Sequence, residues 1–240
     1  MLIVLVAVVA VTVFLSLSVS KQGTPFRLVF TARTMGYLTP LEESKGGRWL
    51  GGYDRRLTAI KEAKKAERTF IVDSGGFYAD WRHGTLAYRD ALSRFNLKGM
   101  EATGVEVANV GLMDQMWGKK KLIEFTSMVS FPFVSASVVD AETGEYVFEP
   151  FKVIEKGGLR VAFVGIVEHE TIAMRTAGEA SADISRLRDD EKVDYSNVPK
   201  EGEGLRVLQV AEAFSKVAPL VEGKADVVVV LGAGGSNVYG

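Results

Sequence analysis

Two hundred and forty residues with 29 basic and 30 acidic side chains (net charge −1) allow one medium α/β domain or two small ones. The near-cancellation of charge leaves neither the basic footprint of a nucleic-acid binder nor the imprint of a strongly acidic partner. The absence of cysteine excludes disulfides and thiolate metal sites and leaves the redox compartment unread.

The chain opens on Leu2 to Ser20, 19 residues without a charge. At about 1.5 Å rise per residue such a run just crosses a ~30 Å hydrocarbon core. The expectation is one N-terminal transmembrane helix (residues 1–21) holding the protein to the lipid bilayer, ahead of a soluble body over residues 22–240. An N-terminal signal sequence is the competing reading, with Ser18 and Ser20 as the small residues before a cut ahead of Lys21. No Lys or Arg precedes the run, however, and it exceeds the usual h-region of about 7–15 residues. Lys21 and Arg27 follow the span, so charge alone would keep the body in the cytoplasm.

Phe26 to Thr31 alternates and predicts the first strand of the body, and Thr34 to Gly52 predicts a glycine- and proline-broken loop. Asp54 to Glu67 predicts a helix with Leu57, Ile60 and Ala63 or Lys64 at helical spacing and a cationic opposite face, read as solvated. Thr69 to Asp73 predicts a buried strand ending in Ser74-Gly75-Gly76. Leu86 to Phe95 predicts a helix with Leu86, Ala91 or Leu92, and Phe95 inward. Met100 to Thr103 then leads into a Val105–Val110 strand. Further on come a helix over Lys119–Met128 and a strand over Phe131–Ser135. Hairpin turns follow at Glu142–Glu145 and at Lys156–Leu159, with a central strand over Arg160–Ile166. Thr171 to Gly204 is a polar excursion, Leu205 to Val221 an amphipathic helix, and Asp226 to Leu231 a last strand running into Gly232–Gly235. The fold class expected is α/β, a mixed β-sandwich flanked by helices and preceded by the transmembrane helix.

The segment Val105 to Trp117 carries the functional question. A β-rich run ends in Gly111, and strand ends of this kind are where α/β proteins bind ligands. A catalytic turn here would present Asp, Asn, His or Glu; this one presents Leu112 and Met113.

In serial order the pieces from about Phe26 to Gly235 resemble the 5′-nucleotidase branch of the calcineurin-like metallophosphoesterases, best of all over Phe131–Ile166. The resemblance implies two clamped metal ions at the strand ends, held by Asp, His and Asn, that activate a water. Where the family has Thr-Asn-Asp-x-His-Gly, this chain has Thr31-Ala32-Arg33-Thr34-Met35-Gly36. Asp-Ala-Gly-Asp becomes Asp73-Ser74-Gly75-Gly76, Gly-Asn-His-Glu becomes Gly111-Leu112-Met113-Asp114, and Ser-His-x-Gly becomes Gly232-Ala233-Gly234-Gly235. The resemblance thus makes Arg33, Met35, Gly76, Leu112, Met113 and Ala233 degenerate former metal positions, each beside a retained framework residue. It implies a pseudoenzyme with no catalytic residue, metal or cofactor. The family also continues with a further His-bearing strand and a C-terminal nucleotide-binding domain, so the sheet edge left at the end of this chain is expected to need a cover.

Other candidates are weaker. His83 and His169 lie in unrelated loops, and Glu168-His169-Glu170 reads as solvated surface because neighbours on an extended segment point oppositely. Met113 is expected to fill the former metal cavity, whereas Met116 and Trp117 are left as a partner surface, with the hairpin Val138–Phe148 beside them. Asp73 and Asp114 have no partner suited to a paired-carboxylate mechanism.

Two functions are carried forward. The first is a non-catalytic, membrane-anchored accessory or structural subunit of a larger complex of integral-membrane proteins, with no nucleic-acid partner. Similarity to exported proteins places its body on the periplasmic side. The second is a metal-free phosphate- or nucleotide-binding sensor in which Arg33 and glycine-rich amides contact the anion. An enzyme with a new site in Thr171–Gly204 has no supporting constellation.

Overall fold

The computed structural model describes residues 2–6, 19–21, 24–42, 47, 49–64, 68–79, 84–168 and 202–234. Its strands are β1 (Leu2–Val6), β2 (Val19–Lys21), β3 (Thr24–Thr31), β4 (Leu41–Glu42), β5 (Trp49–Leu50), β6 (Thr69–Asp73) and β7 (Val107–Asn109), followed by β8 (Phe133–Val134), β9 (Val138–Asp140), β10 (Phe151–Lys156), β11 (Leu159–Val167), β12 (Leu205–Val207) and β13 (Val227–Ala233). The α-helices are α1 (Tyr53–Ala63), α2 (Leu86–Thr103), α3 (Gly118–Thr126) and α4 (Val210–Val221), with a 3₁₀ turn at Met113–Gln115.

Two sheets face one another. One has the order β2-β3-β6-β7-β8, parallel from β3 to β8; the other has the order β1-β13-β11-β10, with β11 and β13 parallel. Phe26, Leu28, Phe70, Val72 and Val107 of the first interleave with Val161, Phe163, Val229 and Leu231 of the second. The first sheet's outer face is covered by helices contributing Ile60, Leu97, Met100, Leu122 and Phe125, and the second's by α4 through Ala213, Val217 and Val221. The strands therefore read as continuous apolar runs, because both faces of each sheet are buried. This is the mixed α/β sandwich expected from the element order.

Several elements differ from the sequence expectation for reasons that packing supplies. Leu2–Val6 is not helical: it lies parallel to β13, from Leu2 opposite Val227 to Val6 opposite Leu231. An edge strand of valines leaves unpaired N–H and C=O groups, and a β-branched run is the segment best suited to satisfy them. The rest of the apolar run, 7–18, lies outside the described residues, and no described helix is long and apolar enough to cross a membrane. In the predicted Thr34–Gly52 loop, β4 and β5 make a small antiparallel pair. Leu205–Val207 is a strand rather than the first turn of a helix, because it supplies the backbone partners of Val138–Asp140. The turn at Glu142–Glu145 consequently closes a single bridge, Val139 to Tyr146, whereas Gly157-Gly158 joins a regular hairpin of β10 and β11.

The helix predicted to stop at Phe95 runs on to Thr103 and ends at Gly104, whose φ of 80° supplies the left-handed cap. Its orientation is also the reverse of the expectation. Phe95 is 59% exposed, while Arg89, Ser93 and Asn96 are buried beside Leu97 and Met100. The Leu86 side chain lies outside the described residues.

Gly99 does not break this helix; it admits Tyr53. A Cβ at Gly99 would stand 2.4 Å from the Tyr53 ring, whose hydroxyl donates to the Asn96 backbone and side-chain oxygens at 2.8 and 2.7 Å. Helix propensity alone would make Gly99→Ala stabilising by about 1 kcal/mol. The expected result in thermal denaturation is the opposite sign, a net loss of about 1–2 kcal/mol, because a ring held by its hydroxyl must move.

Candidate functional site

The parallel strands of both sheets end on the same side, and their exit loops meet there. β3 leads into Ala32-Arg33-Thr34-Met35, β6 into Ser74-Gly75-Gly76, β7 through Val110 into Gly111-Leu112-Met113, and β13 ends in Gly232-Ala233 before Gly234. Together these loops line an open cleft of about 480 Å³, its solvent-continuous mouth included. Arg33, Met35, Gly76, Leu112, Met113 and Ala233 all line it, so residues spread over two hundred positions of sequence share one wall.

Main-chain hydrogen bonds stitch the loops together. Arg33 N donates to Gly75 O at 2.7 Å, Met35 N to Gly76 O at 2.9 Å, and Ser74 N to Thr31 O at 2.8 Å. To make these bonds Arg33 and Met35 adopt φ of 48° and 47°, among the described residues the positive-φ positions that are not glycine. Left-handed backbone costs a non-glycine residue about 1–2 kcal/mol. The surrounding bonds hold that strain at two of the six positions singled out by sequence. The second and third loops approach backbone to backbone: a Cβ on Gly75 would lie 2.5 Å from Gly111 N, and one on Gly111 2.4 Å from Gly76 N. Only glycine permits that contact.

Two buried carboxylates organise the loops from behind. Asp73 is 1% exposed and accepts from Thr31 Oγ1 at 2.5 Å and from Gly75 N at 2.7 Å. Asp114 is 2% exposed; its Oδ2 accepts from Gly76 N at 2.8 Å and Gly111 N at 2.7 Å, and its Oδ1 from Tyr78 N at 2.9 Å. Burial pushes the Asp73 carboxyl up to about 7, against the pull of the Thr31 hydroxyl and the Gly75 N–H. Burial likewise raises Asp114, opposed by its amide donors from Tyr78, Gly76 and Gly111.

Asn109, at the end of β7, ties the two sheets together. Its Nδ2 faces Ser74 O at 3.3 Å, Ile166 O at 2.9 Å and Leu231 O at 2.8 Å, one carbonyl beyond β6, one in β11 and one in β13. Sequence reading passed over Asn109 and left Asp114 without a role. The available signal was a polar residue closing an otherwise apolar strand, and an acid three residues after a strand-end glycine.

The donor set does not fit the two hard cations that the sequence resemblance implies. The cleft offers thioethers, methyls and a guanidinium, which has no lone pair to give. At Gly76, a side chain would begin 2.9 Å from the Arg33 Cα on a backbone at φ 87°. Asp73 and Asp114, buried behind the loops, turn toward main-chain N–H groups instead. Among the described residues no three His, Cys, Asp or Glu side chains lie together in a metal-holding group. Three of the cleft's glycine amides, those of Gly75, Gly76 and Gly111, are engaged by the two acids rather than turned to an anion. Ser74 lines the cleft with a buried hydroxyl, yet no imidazole or carboxylate side chain of the lining stands by to activate it.

The remaining sequence candidates separate. Trp117 is not a surface residue: it is 7% exposed, with its ring centroid 5.8 Å from that of Tyr78 and the Arg89 guanidinium 5.0 Å over its face. Met116 is half-buried against the same core, as are Val147 and Phe148, while Val138 and Val139 are buried. The ring is drawn inward because it packs there against the Tyr78 ring and under a buried arginine. His83, His169, Glu170 and the stretch 171–200 lie outside the described residues.

No family profile matches the chain. Among curated proteins it is 25% identical over 162 residues to an apyrase of Tabanus yao, covering 60% of this chain and 28% of that protein. It is 28% identical over 76 residues to a 5′-nucleotidase of Vibrio cholerae, covering 32% of this chain and 14% of that one. The chain therefore spans less than a third of either relative. Among solved structures, the 5′-nucleotidase precursor of Thermus thermophilus superposes with a TM-score of 0.63 at 22% identity, covering 85% of this chain and 36% of that one. The NAD nucleotidase of Haemophilus influenzae gives 0.63 at 15% identity, covering 88% and 34%. A calcineurin-like phosphoesterase of Bacillus subtilis gives 0.58 at 16%, covering 85% and 60%. From its facing sheets to the loops at its strand ends, this chain has the calcineurin-like metallophosphoesterase fold of the 5′-nucleotidases.

Proposed function

We propose that this protein is a non-catalytic, membrane-anchored domain that serves as an accessory or structural subunit beside integral-membrane proteins, its body on the periplasmic side. One observation carries the reading. At the six cleft positions where the resemblance calls for metal ligands and their partners the side chains are Arg33, Met35, Gly76, Leu112, Met113 and Ala233, while the hydrogen-bonded frame behind them is intact. A frame kept without its donors serves as shape rather than as chemistry.

The anchor bears on the N-terminal strand. With Leu2–Val6 in one sheet and Val19–Lys21 in the other, only residues 7–18 remain between them. As a helix these would reach about 18 Å, short of a ~30 Å core. Docking of β1 and insertion of the apolar run are therefore alternatives. Insertion bares the edge of β13 along Val227–Leu231, and a subunit of a larger assembly can offer such an edge to a partner's strand.

The expected result with purified full-length protein is no hydrolysis of nucleotides or phosphodiester dyes upon addition of manganese or zinc. Metal-stimulated turnover abolished by Asp73→Asn or Asp114→Asn would overturn the reading. Against a phosphate sensor stands the engagement of the three loop amides by Asp73 and Asp114, which leaves Arg33 as the cationic contact in the cleft. Calorimetry with phosphate and nucleotides on wild type and Arg33→Ala is expected to show no micromolar site in either.

A further inference from the structure

The outward face of α2 is apolar where a solvated helix should be polar, whereas the exposed positions of α1 are polar or charged. On α2 the inward positions include Arg89, Ser93 and Asn96, and the outward ones are Tyr88 (56% exposed), Ala91 and Phe95 (59% exposed). Tyr88, Ala91 and Phe95 are three and four residues apart, so they form one stripe. The stripe abuts α1. The Tyr53 ring meets Phe95 edge-on at 6.4 Å, and the Arg56 guanidinium lies 4.6 Å over Tyr53. Beyond it Arg55 donates to the carbonyl of Trp49, itself 53% exposed.

Cations border this aromatic surface. On α1, its cap and α2 the exposed charged side chains are Arg55, Lys61, Lys64 and Lys98 against Asp54 and Glu62, four positive minus two negative, net +2. The chain itself is net −1, so this face is locally positive on a slightly acidic protein.

The end of the apolar run leads to the C-terminal end of α1, where Lys61 and Lys64 lie. Val19–Lys21 is hydrogen-bonded as β2 to the start of β3, and Arg27 of β3 donates to Ala63 O at the end of α1 at 3.2 Å. On the anchored reading, with β1 released from β13 and β2 in place, Leu2 to Ser18 would give 17 residues, the lower end of the range of about 17–25 that spans a bilayer. A span ending at Ser18 would leave no linker before β2, so the body would sit on the headgroups with the edge carrying β2, β3 and α1 nearest to them.

We propose that the α1–α2 face, centred on Trp49, Tyr88 and Phe95, lies against the surface of an anionic bilayer. The rings sit at headgroup depth, and Arg55, Lys61, Lys64 and Lys98 meet lipid phosphates. This inference rests on the anchored reading above, and the experiment separates the two.

The chain has no cysteine, so single nitroxide labels can be placed through Ala91→Cys on the stripe, Ser215→Cys on α4 across the molecule, and Thr12→Cys in the apolar run. Full-length protein is reconstituted alone into vesicles of phosphatidylglycerol and phosphatidylcholine. The collision rate of each label with oxygen is then compared with that for a water-soluble nickel chelate. The expected result is label 12 deep in hydrocarbon, label 91 several-fold more accessible to oxygen than to nickel, and label 215 fully aqueous. Adding Trp49→Ser and Phe95→Ser should return label 91 to the values of label 215 while label 12 stays immersed. If label 91 is as aqueous as label 215 while label 12 is immersed, the inference fails and the anchor stands. If label 12 is aqueous, the anchored reading fails and this one with it. If label 91 is shielded only in membranes where another protein co-extracts, the face is a protein contact and the inference is overturned.

Discussion

Asp114→Ala is expected to lower the unfolding free energy by about 3–9 kcal/mol, with Asp114→Asn losing roughly a third as much. Asp114 is buried and accepts three main-chain N–H groups, those of Gly76, Tyr78 and Gly111. Truncation strands all three, at about 1–3 kcal/mol for each donor left without a partner. Asparagine keeps one oxygen, enough for the Gly76 and Gly111 donors, but turns its amide toward Tyr78 N–H, where a donor meets a donor. Chemical denaturation at fixed pH reads both losses, and cleft-lining substitutions such as Met113→Leu should change little beside them. The ranking separates a structural acid from a functional one. A catalytic carboxylate strained by its site gains stability when removed; if Asp114→Ala leaves the denaturation midpoint unchanged or raises it, the acid is not what joins the loops.

The second large effect is a dependence on pH through Asp73. Its folded-state carboxyl sits at about 7, raised from 3.8 by burial against the help of Thr31 and Gly75. Between those two values the folded chain binds the extra proton, so stability falls as pH rises and the contribution is lost once pH passes the folded value. Integrated from pH 5 to pH 8 this amounts to about 2–3 kcal/mol, or about 5–10 °C in melting temperature for a body of this size. The charge pairs at Lys119–Asp140 and Arg94–Glu124 hold their carboxyls low and change mainly below that window. Melting curves across pH 5–8 should show wild type losing stability more steeply than Asp73→Asn, which keeps only the same-signed contribution of the buried Asp114. A wild-type profile that rises across the window would mean that the cleft stabilises the charged form.

Much of the architecture was legible in the chain. Val-rich runs bounded by glycines gave β6, β11 and β13 close to their observed limits, since strands buried on both faces must be apolar throughout. The serial order of those runs carried the resemblance, and with it the expectation that Arg33, Met35, Gly76, Leu112, Met113 and Ala233 belong together. Where periodicity misled, long-range partners had intervened. The helix expected to stop at Phe95 runs on through Gly99, because Tyr53 fills the place of the missing side chain there. Leu205–Val207 had an amphipathic helical pattern and became a strand because Val138–Asp140 lacked a partner. Trp117, expected at a partner surface, is buried against Tyr78 and Arg89.

What the sequence by itself determined is the list of side chains available at each strand end: no packing can give the side chain of Leu112 or Ala233 a lone pair. Only the tertiary structure decided where Asp73, Asn109 and Asp114 point, which face of α2 is turned outward, and what Leu2–Val6 pairs with. Those outcomes depend on hydrogen-bond donors and sheet edges contributed by residues far away in the chain, and local periodicity carries no record of them.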